Sequence, residues 1–376
     1  MKMLIISNMA HYLRDGQIVG WGPTVNEINA LSGIFETIRH VACLHDEKAP
    51  GSALPYQNDH ITLVPLPSAG GSTVLSKIDI LKKLPAYIKT ILNELSKTDA
   101  VHIRCPANIS LIAVVALFFL RRPKLRWAKY AGSWQSYPGE PLSYKFQRWW
   151  RARGFHRGWV TINGCWAGQP KHVRTFMNPC LTSKELSEAK QNAESKAITQ
   201  PVRLAFAGAI TENKGGEGAL KILDILAKKN INARLDFLGD GPDTARLQSL
   251  AQELGLNGRV TFHGWVSRTE IGRYFTAAHF VLLPSRAEGW PKVLSEAMAY
   301  GAVPLASRVG SIPEMLTKYE TGKTFLADDA EGFADAIIHY ISNPAHWKEE
   351  STRAIQAVAD FTYERYLKAV RELINI

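Results

Sequence analysis

SRAEGWPKVLSEAMAYGAVPLASRVGSIPE, residues Ser285 to Glu314, sets a loop, a helix and a turn around two carboxylates, Glu288 and Glu296, eight positions apart. The apolar run His279 to Leu283 before it predicts a strand ended by Pro284. Pro291 suits the first turn of a helix, where its missing N–H is no loss. Glu288 then falls in the strand-to-helix loop, and Glu296 about one and a half turns into the helix. The amides of Gly289 to Val293 project from the helix N-terminus, where unsatisfied N–H groups and the dipole favour an anion. The predicted helix closes at Gly301. A buried strand, Val303 to Ala306, leads to a second glycine turn at Gly310-Ser311 before Pro313-Glu314.

Around this stretch, short apolar runs alternate with helical segments from Val202 onward. The predicted strands are Arg203 to Ala207, Arg234 to Leu238, Arg259 to Phe262, Phe280 to Leu283, Val303 to Ala306 and Lys323 to Leu326. Such alternation means a parallel doubly wound sheet, which binds ligand at the carboxyl ends of its strands. Three further motifs fall at such ends: Gly208 to Gly215 (GAITENKG), Leu238 to Pro242 (LGDGP) and Phe262 to Val266 (FHGWV). Helices are expected at Glu331 to Ile341 and Ala345 to Ala359, and Tyr363 to Ile374 as a last amphipathic one.

With its flanking Gly-x-Pro and second glycine loop, the pattern E-x7-E at Glu288 and Glu296 resembles the donor half of a retaining glycosyltransferase of the GT4 type. The resemblance implies an α/β protein of GT-B fold: two Rossmann-like doubly wound lobes with the active site in the interdomain cleft. It implies a nucleotide-sugar donor, UDP being the commonest, and a saccharide or lipid-linked saccharide acceptor, as in surface polysaccharide assembly. By position, Gly208 to Gly215 matches the family's diphosphate loop. Gly208 and Lys214 keep their places, and Ala209 stands where the family has arginine. Gly264 and Val266 would flank the nucleobase. Gly289, Trp290, Pro291, Lys292 and Val293 form the donor loop and helix start. Glu296 would accept from the ribose hydroxyls, and Glu288 would hold hydroxyls of the transferred sugar. Glu288 and Lys214 are the catalytic candidates, with Lys292 as a substitute charge for the missing arginine. Gly20-Trp21-Gly22 resembles the family's paired-glycine loop on the acceptor side. A plain βα loop using glycine for tight packing is the other reading of it. No D-x-D occurs, so neither a metal nor another cofactor is expected. Two rivals remain at this point. One is a lapsed binding or scaffold subunit, motivated by Ala209; the other is a nucleotide-sugar 2-epimerase, which needs acid and base residues that the chain does not plainly supply.

A chain of 376 residues suggests two domains of roughly 150 to 200 residues each. The expected division is 1–181, joined by a final helix at about 360–376, as an acceptor lobe; 182–200 as a polar linker; and 201–359 as the donor lobe. In the first lobe, strands are expected at Met3 to Ser7, Arg39 to Leu44, Asp99 to Ile103 and Arg126 to Tyr130. Trp21-Gly22-Pro23 is a predicted loop, and helices follow at Val25 to Phe35, Ile78 to Leu95 and Ala107 to Leu120. Ala131 stands where many family members place a histidine, while His11 and His102 read as structural. The four widely spaced cysteines, Cys43, Cys105, Cys165 and Cys180, suit neither a zinc site nor a disulfide framework. No leader is visible after Met1-Lys2, and the longest apolar stretch, Leu111 to Leu120, is about half of a spanning helix. A cytoplasmic protein, at most peripheral on a membrane, is expected.

Forty-five Lys and Arg against 34 Asp and Glu give a net charge of +11. That favours anionic partners without choosing among them. Residues 121–159 concentrate arginine and tryptophan, with Arg121, Arg122, Lys124 and Arg126 followed by Gln147 to Trp159 (QRWWRARGFHRGW). Aromatics interleaved with cations suit the interface of an anionic bilayer; tryptophans packed in a core with the arginines solvated are an equal reading. A nucleic-acid partner is not expected, because no stacking motif or recognition helix accompanies the charge.

Overall fold

The computed structural model describes residues 1–68, 74–137, 139–166 and 168–375. Pro138, inside the Arg/Trp-rich stretch, and Ile376, at the end of the expected first lobe, lie outside the described residues. The chain divides into two compact units, Met1–Phe176 with Leu367–Ile376, and Met177–Tyr366.

The first unit is built on a ten-stranded sheet: β1 (Lys2–Ile6), β2 (His11–Arg14), β3 (Gln17–Trp21), β4 (Thr37–His45), β5 (Ala53–Pro55), β6 (Ile61–Pro67), β7 (Ala100–Cys105), β8 (Leu125–Tyr130), β9 (Trp159–Ile162) and β10 (Val173–Thr175). Its order is β10-β9-β8-β7-β1-β4-β2-β3-β5, with β6 also paired to β4. The β1, β4 and β7 core is parallel and largely buried, as helices on each side require, although β4 and β7 bring His40 and His102 into it. Helices α1 (Gly22–Leu31), α2 (Val74–Leu95), α3 (Asn108–Phe119) and α4 (Leu142–Ala152) complete it.

The second unit carries α5 (Ser183–Ala193), β11 (Val202–Ala207), α6 (Gly216–Lys228), β12 (Ala233–Leu238), α7 (Thr244–Glu253), β13 (Val260–Phe262), α8 (Arg268–Ala277), β14 (Phe280–Leu283), α9 (Lys292–Ala299), β15 (Val303–Ser307), α10 (Ile312–Lys318), β16 (Lys323–Phe325), α11 (Ala330–Ser342) and α12 (Pro344–Ala357). The strands pair in parallel in the order β13-β12-β11-β14-β15-β16, the doubly wound arrangement expected from the alternation. The order reverses beside β11, so the crevice outside β11 and β14 is where such a sheet binds ligands. A last helix, α13 (Tyr363–Ile374), begins in the second unit and continues in the first from Leu367.

Three expectations change. Residues 182–200 are not an extended linker: Thr182 and Glu185 form a reciprocal capping box, so α5 starts there, and it buries Ala189 and Ala193 in the second unit. The boundary moves from 181 to Phe176 because Cys180 N donates to Phe361 O (2.9 Å) and Tyr363 N to Leu181 O (2.9 Å). Gly20-Trp21-Gly22 is also not a free loop. Gly20 and Trp21 end β3, paired to β2 and β5, and Gly22 opens α1 with Pro23 in its first turn. A Cβ at Gly20 would lie 2.8 Å from Met9 Cε and one at Gly22 2.8 Å from Ser52 O, so tight packing accounts for both glycines.

Candidate active site

Glycine turns at the carboxyl ends of β11, β12 and β14 bring separate loops into contact. After β11, Gly208 to Thr211 lead into a single 3-10 turn, Glu212–Lys214, closed by Gly215 at φ +76°. A Cβ at Gly215 would stand 1.9 Å from Pro284 O, so only glycine lets this loop meet the one after β14. The two loops are then joined main chain to main chain, Arg286 N donating to Asn213 O at 2.8 Å. Across that seam Lys214 Nζ donates to Glu288 Oε1 at 2.6 Å.

A second glycine holds Glu288 from the other side. Gly310 has φ +58°, and a Cβ there would lie 2.1 Å from Glu288 O. Next to it Ser311 donates from both N (3.1 Å) and Oγ (3.2 Å) to Gly289 O. The Trp290 side chain is not a ligand-facing group. It is buried, stacks on Phe361 (5.4 Å between centroids) and donates from Nε1 to Ser295 Oγ (2.8 Å). Its carbonyl accepts from Asn178 Nδ2 at 3.2 Å. Pro291 is the N-cap of α9, and no side chain caps the helix. A helix N-terminus with no side-chain cap from its N-cap residue is the kind of position that receives an anion.

Glu296 is the fifth residue of α9, a little earlier in the helix than expected. Burial pushes its carboxyl above the ordinary value, while Arg268 and Lys292 pull it back and Glu185 adds to the rise. Arg268 is held in turn by three contacts from Nη2: Cys180 O (2.7 Å), Glu185 Oε1 (3.0 Å) and Glu185 Oε2 (3.0 Å).

On the other side of β11, the strand ends touch through glycines. Gly208 N donates to Leu238 O (3.0 Å) and Gly239 N to Gly264 O (2.8 Å). A Cβ at Gly239 would lie 1.9 Å from Gly208 O, whereas Cβ atoms at Gly208 and Gly264 would meet nothing within 4 Å. Two glycines thus open onto free space beside the sheet end. His263 Nε2 lies 2.7 Å from Asp236 Oδ1 and Nδ1 3.3 Å from Tyr274 OH, which fixes the ring beside Gly264. Trp265 is half exposed, and Val266 packs against the apolar core.

A chain with these loops is similar to known proteins over the same region. Residues 187–360 match the family described as glycosyl transferases group 1. They form a group 1 glycosyl transferase domain. The chain is 23% identical over 205 residues to a lipopolysaccharide 1,6-galactosyltransferase of Escherichia coli K12, covering 54% of this chain and 55% of that protein. It is 32% identical over 184 residues to a D-inositol 3-phosphate glycosyltransferase of Mycobacterium avium, covering 45% of this chain and 42% of the relative. The chain thus spans about half the length, or less, of these curated relatives. Among solved structures, a sucrose-phosphate synthase of Thermosynechococcus elongatus superposes with a TM-score of 0.73 at 19% identity, over 100% of this chain and 98% of that one. HepE of Anabaena, in complex with UDP and glucose, gives 0.70 at 15% identity over 100% and 99%. These likenesses show the GT-B fold.

Within the glycosyl transferase domain, Lys214 and Glu288 meet at one seam, with Gly289 next along the loop, Gly208 starts the loop that carries Lys214, and Glu296 and Lys292 share the next helix. Gly264 and Val266 lie across the Gly208–Gly239 contact from that seam. Gly20, Trp21 and Gly22 belong to the other unit. Arg268 and Glu185, which shape the charge around Glu296, were missed. The capping signal Thr182-x-x-Glu185 was present in the sequence; the pairing of Glu185 with a residue 83 positions on was not. Among the described residues, no group of three or more His, Cys, Asp or Glu could hold a metal ion, and no helix is long and apolar enough to cross a membrane.

Proposed function

We propose that the protein is a retaining glycosyltransferase of the GT4 type that moves a sugar from a nucleotide-sugar donor, a UDP-sugar, to a saccharide or lipid-linked saccharide acceptor. The Lys214–Glu288 contact (2.6 Å) across two glycine-shaped loops carries the reading. It places a cation and a carboxylate together at the strand ends, where a diphosphate and a sugar ring need opposite charges. The similarity to a lipopolysaccharide galactosyltransferase supports a saccharide acceptor in surface glycan assembly. The HepE complexes, which contain UDP, support the donor.

In the proposed reaction the bond from the anomeric carbon to the diphosphate oxygen breaks as the bond to the acceptor oxygen forms on the same face. The leaving phosphate takes the acceptor proton. Lys214 turns from Glu288 to the departing diphosphate, and the α9 amides and Lys292 add positive potential, a preorganised field that needs no metal. Glu288 holds the sugar hydroxyls and steadies the oxocarbenium-like centre; Glu296 accepts from the ribose. Ala209 leaves the family's arginine position without charge, which costs about 1.5–3 kcal/mol of charge-assisted hydrogen bonding.

That exposed alanine also motivates the second reading, a binding subunit without turnover. Thermal denaturation with UDP-, GDP-, ADP- and TDP-sugars separates the two, followed by assay of donor hydrolysis. A donor at ~100 times its Kd should add about 2.7 kcal/mol. Stabilisation by a UDP-sugar with slow hydrolysis supports the transferase. Stabilisation without any turnover favours the binding subunit, and no response to any donor overturns both.

A further inference from the structure

Helix α4 in the first unit is built inside out. Its inward residues are Gln147 and Arg151, both fully buried. Gln147 Oε1 accepts from Ala107 N (3.2 Å), and Arg151 Nη2 donates to Cys105 Sγ (2.7 Å). Its outward residues Leu142, Phe146 and Trp149, spaced i, i+4, i+7, are 81%, 38% and 48% exposed. Phe119, which ends α3, is 75% exposed and continues the same strip. Phe118 lies 5.1 Å from Phe119 and 5.5 Å from Trp150, and Trp150 lies 5.4 Å from Phe146, centroid to centroid. Two polar residues inside and three large apolar ones outside reverse the pattern that water imposes on a helix of a globular unit. A continuous exposed strip of this kind marks an interaction surface.

The charge around it is one-sided. From Val101 to Ser183 the sequence has thirteen Lys or Arg and one acid, Glu140, so this stretch is +12 in a chain whose total is +11. Glu140 is buried and paired with Arg148. Arg121, Arg122, Lys124, Lys145, Arg153 and Arg157 are exposed around the strip.

We propose that this face docks on an anionic lipid bilayer, with α4 lying in the interfacial plane. Leu142, Phe146, Trp149 and Phe119 would enter the headgroup–acyl boundary, and the six cations would meet lipid phosphates. The occupant follows from both halves of the surface. A second copy would set the six exposed cations of one face against those of the other, and the phosphate backbone of a nucleic acid offers nothing apolar to Leu142 or Phe119.

The test floats the full chain with vesicles of phosphatidylcholine alone and with about 30% phosphatidylglycerol, in low and high salt. Expected are binding to the anionic vesicles only, loss in high salt, and a blue shift of Trp149 emission that is absent in Trp149→Phe. Leu142→Ser with Phe146→Ser, and separately Lys145→Glu with Arg153→Glu, should each weaken partitioning tenfold or more while the melting curve is kept. If either pair fails to fold, the wild-type lipid dependence and the Trp149→Phe difference decide the question. Equal binding to both vesicles, or to neither, overturns the proposal. So does tighter binding to a nucleic acid that the serine pair leaves intact, or sedimentation showing self-association through this face.

Discussion

The two units bury different things. The second packs two apolar clusters around its parallel sheet, and its candidate site is main chain brought close by glycines at 208, 215, 239 and 310. The first buries charge and imidazole. Glu27, fully buried, accepts from Lys129 Nζ at 2.8 Å and from Arg104 Nη1 at 2.7 Å. Beside them runs a hydrogen-bonded chain whose proton order the contacts fix. His11 Nδ1 donates to Met9 O (3.1 Å), so its Nε2 accepts from Tyr56 OH (2.7 Å). Tyr56 then accepts from His40 Nδ1 (2.6 Å), leaving His40 Nε2 to accept from Ser7 Oγ (2.7 Å), and Ser7 Oγ accepts from Met9 N (3.2 Å). Burial keeps both histidines neutral, and in that state the chain closes with one proton at each contact. The second unit has one imidazole lowered in this way, His279, against four in the first, so acid bears more heavily on the first.

Acid should therefore separate the units, and this is the largest effect expected. Burial lowers His11 to about 4 and His156 to about 3, and holds fully buried His40 and His102 well below the ordinary value; in the second unit His279 is lowered to about 4. A folded pKa below the unfolded one means that unfolding takes up a proton. The stability is thus complete above about pH 6.5 and is lost as pH falls towards 4. Each such group contributes at most about 1.4 kcal/mol per pH unit in that window, so four in one unit outweigh the single His279 of the other. Hydrogen exchange at pH 7.5 and pH 5 should show the amides of β1, β4 and β7 losing protection before those of β11, β12 and β14. Equal loss in both units would remove the contrast.

Chemistry should separate them in the opposite direction. Lys214→Met and Glu288→Gln are each expected to lower transfer about 10²–10³-fold, the usual cost of one preorganised electrostatic contact. The same changes should move stability by less than about 1 kcal/mol, since the pair is partly exposed. Rate and Tm measured on the same samples test this. A variant losing several kcal/mol with its activity would recast the pair as a structural salt bridge.

That division also explains what was legible. The six strands of the second unit lie within one or two residues of their predicted ends, because a parallel strand buried on both faces is a continuous apolar run and each loop carries its own glycine. Lys214 and Glu288 could be named from local patterns, although they are 74 positions apart, because each sits in a motif of its own. The first unit offered no such help. Glu27 meets Arg104 and Lys129 across 77 and 102 positions with nothing local to announce it, and Gly20-Trp21-Gly22, expected as a loop, ends the β2–β3 hairpin and opens α1. Arg126 and Arg151 counted as surface cations in the sequence, yet both are buried; Arg126 donates to the carbonyls of Pro123, Leu117, Leu120 and His156. Composition cannot distinguish an arginine that holds carbonyls from one that faces lipid.

Glycines sharpen the comparison at a smaller scale. Gly310→Ala must place a Cβ 2.1 Å from Glu288 O at φ +58°, so it combines an unfavourable backbone with a clash. A loss of about 1–3 kcal/mol is expected, together with a fall in transfer because Glu288 moves. Gly16 in the first unit has φ +76° with nothing within 4 Å, so Gly16→Ala meets only the backbone term, about 1 kcal/mol, and leaves transfer alone. Denaturant midpoints and activity for the two variants form the test, and equal losses in both would mean that the Gly310 contact relaxes freely.

The smallest effect sits at Glu296, a partly buried carboxylate on α9. Its carboxyl is raised by burial, so the charged form is less stable in the folded chain than in the unfolded one. A raised carboxylate pKa means that the folded chain holds its proton longer. The penalty therefore appears as pH climbs through the folded pKa and is already present at neutral pH. Glu296→Gln removes it while keeping the shape, so this variant should gain a few tenths to about 1 kcal/mol of stability at pH 7.5. Arg268 and Lys292 limit the gain, because each loses a favourable neighbour. The gain should vanish near pH 4, where the native carboxyl is protonated as well. Donor binding should weaken in the same variant, since a carboxylate facing ribose hydroxyls gives stronger hydrogen bonds than an amide. Denaturant melts at pH 7.5 and pH 4, with and without UDP-sugar, carry the decision. A variant less stable than wild type at pH 7.5 would mean that Arg268 and Lys292 more than offset the burial of Glu296, and that its charge belongs to the fold.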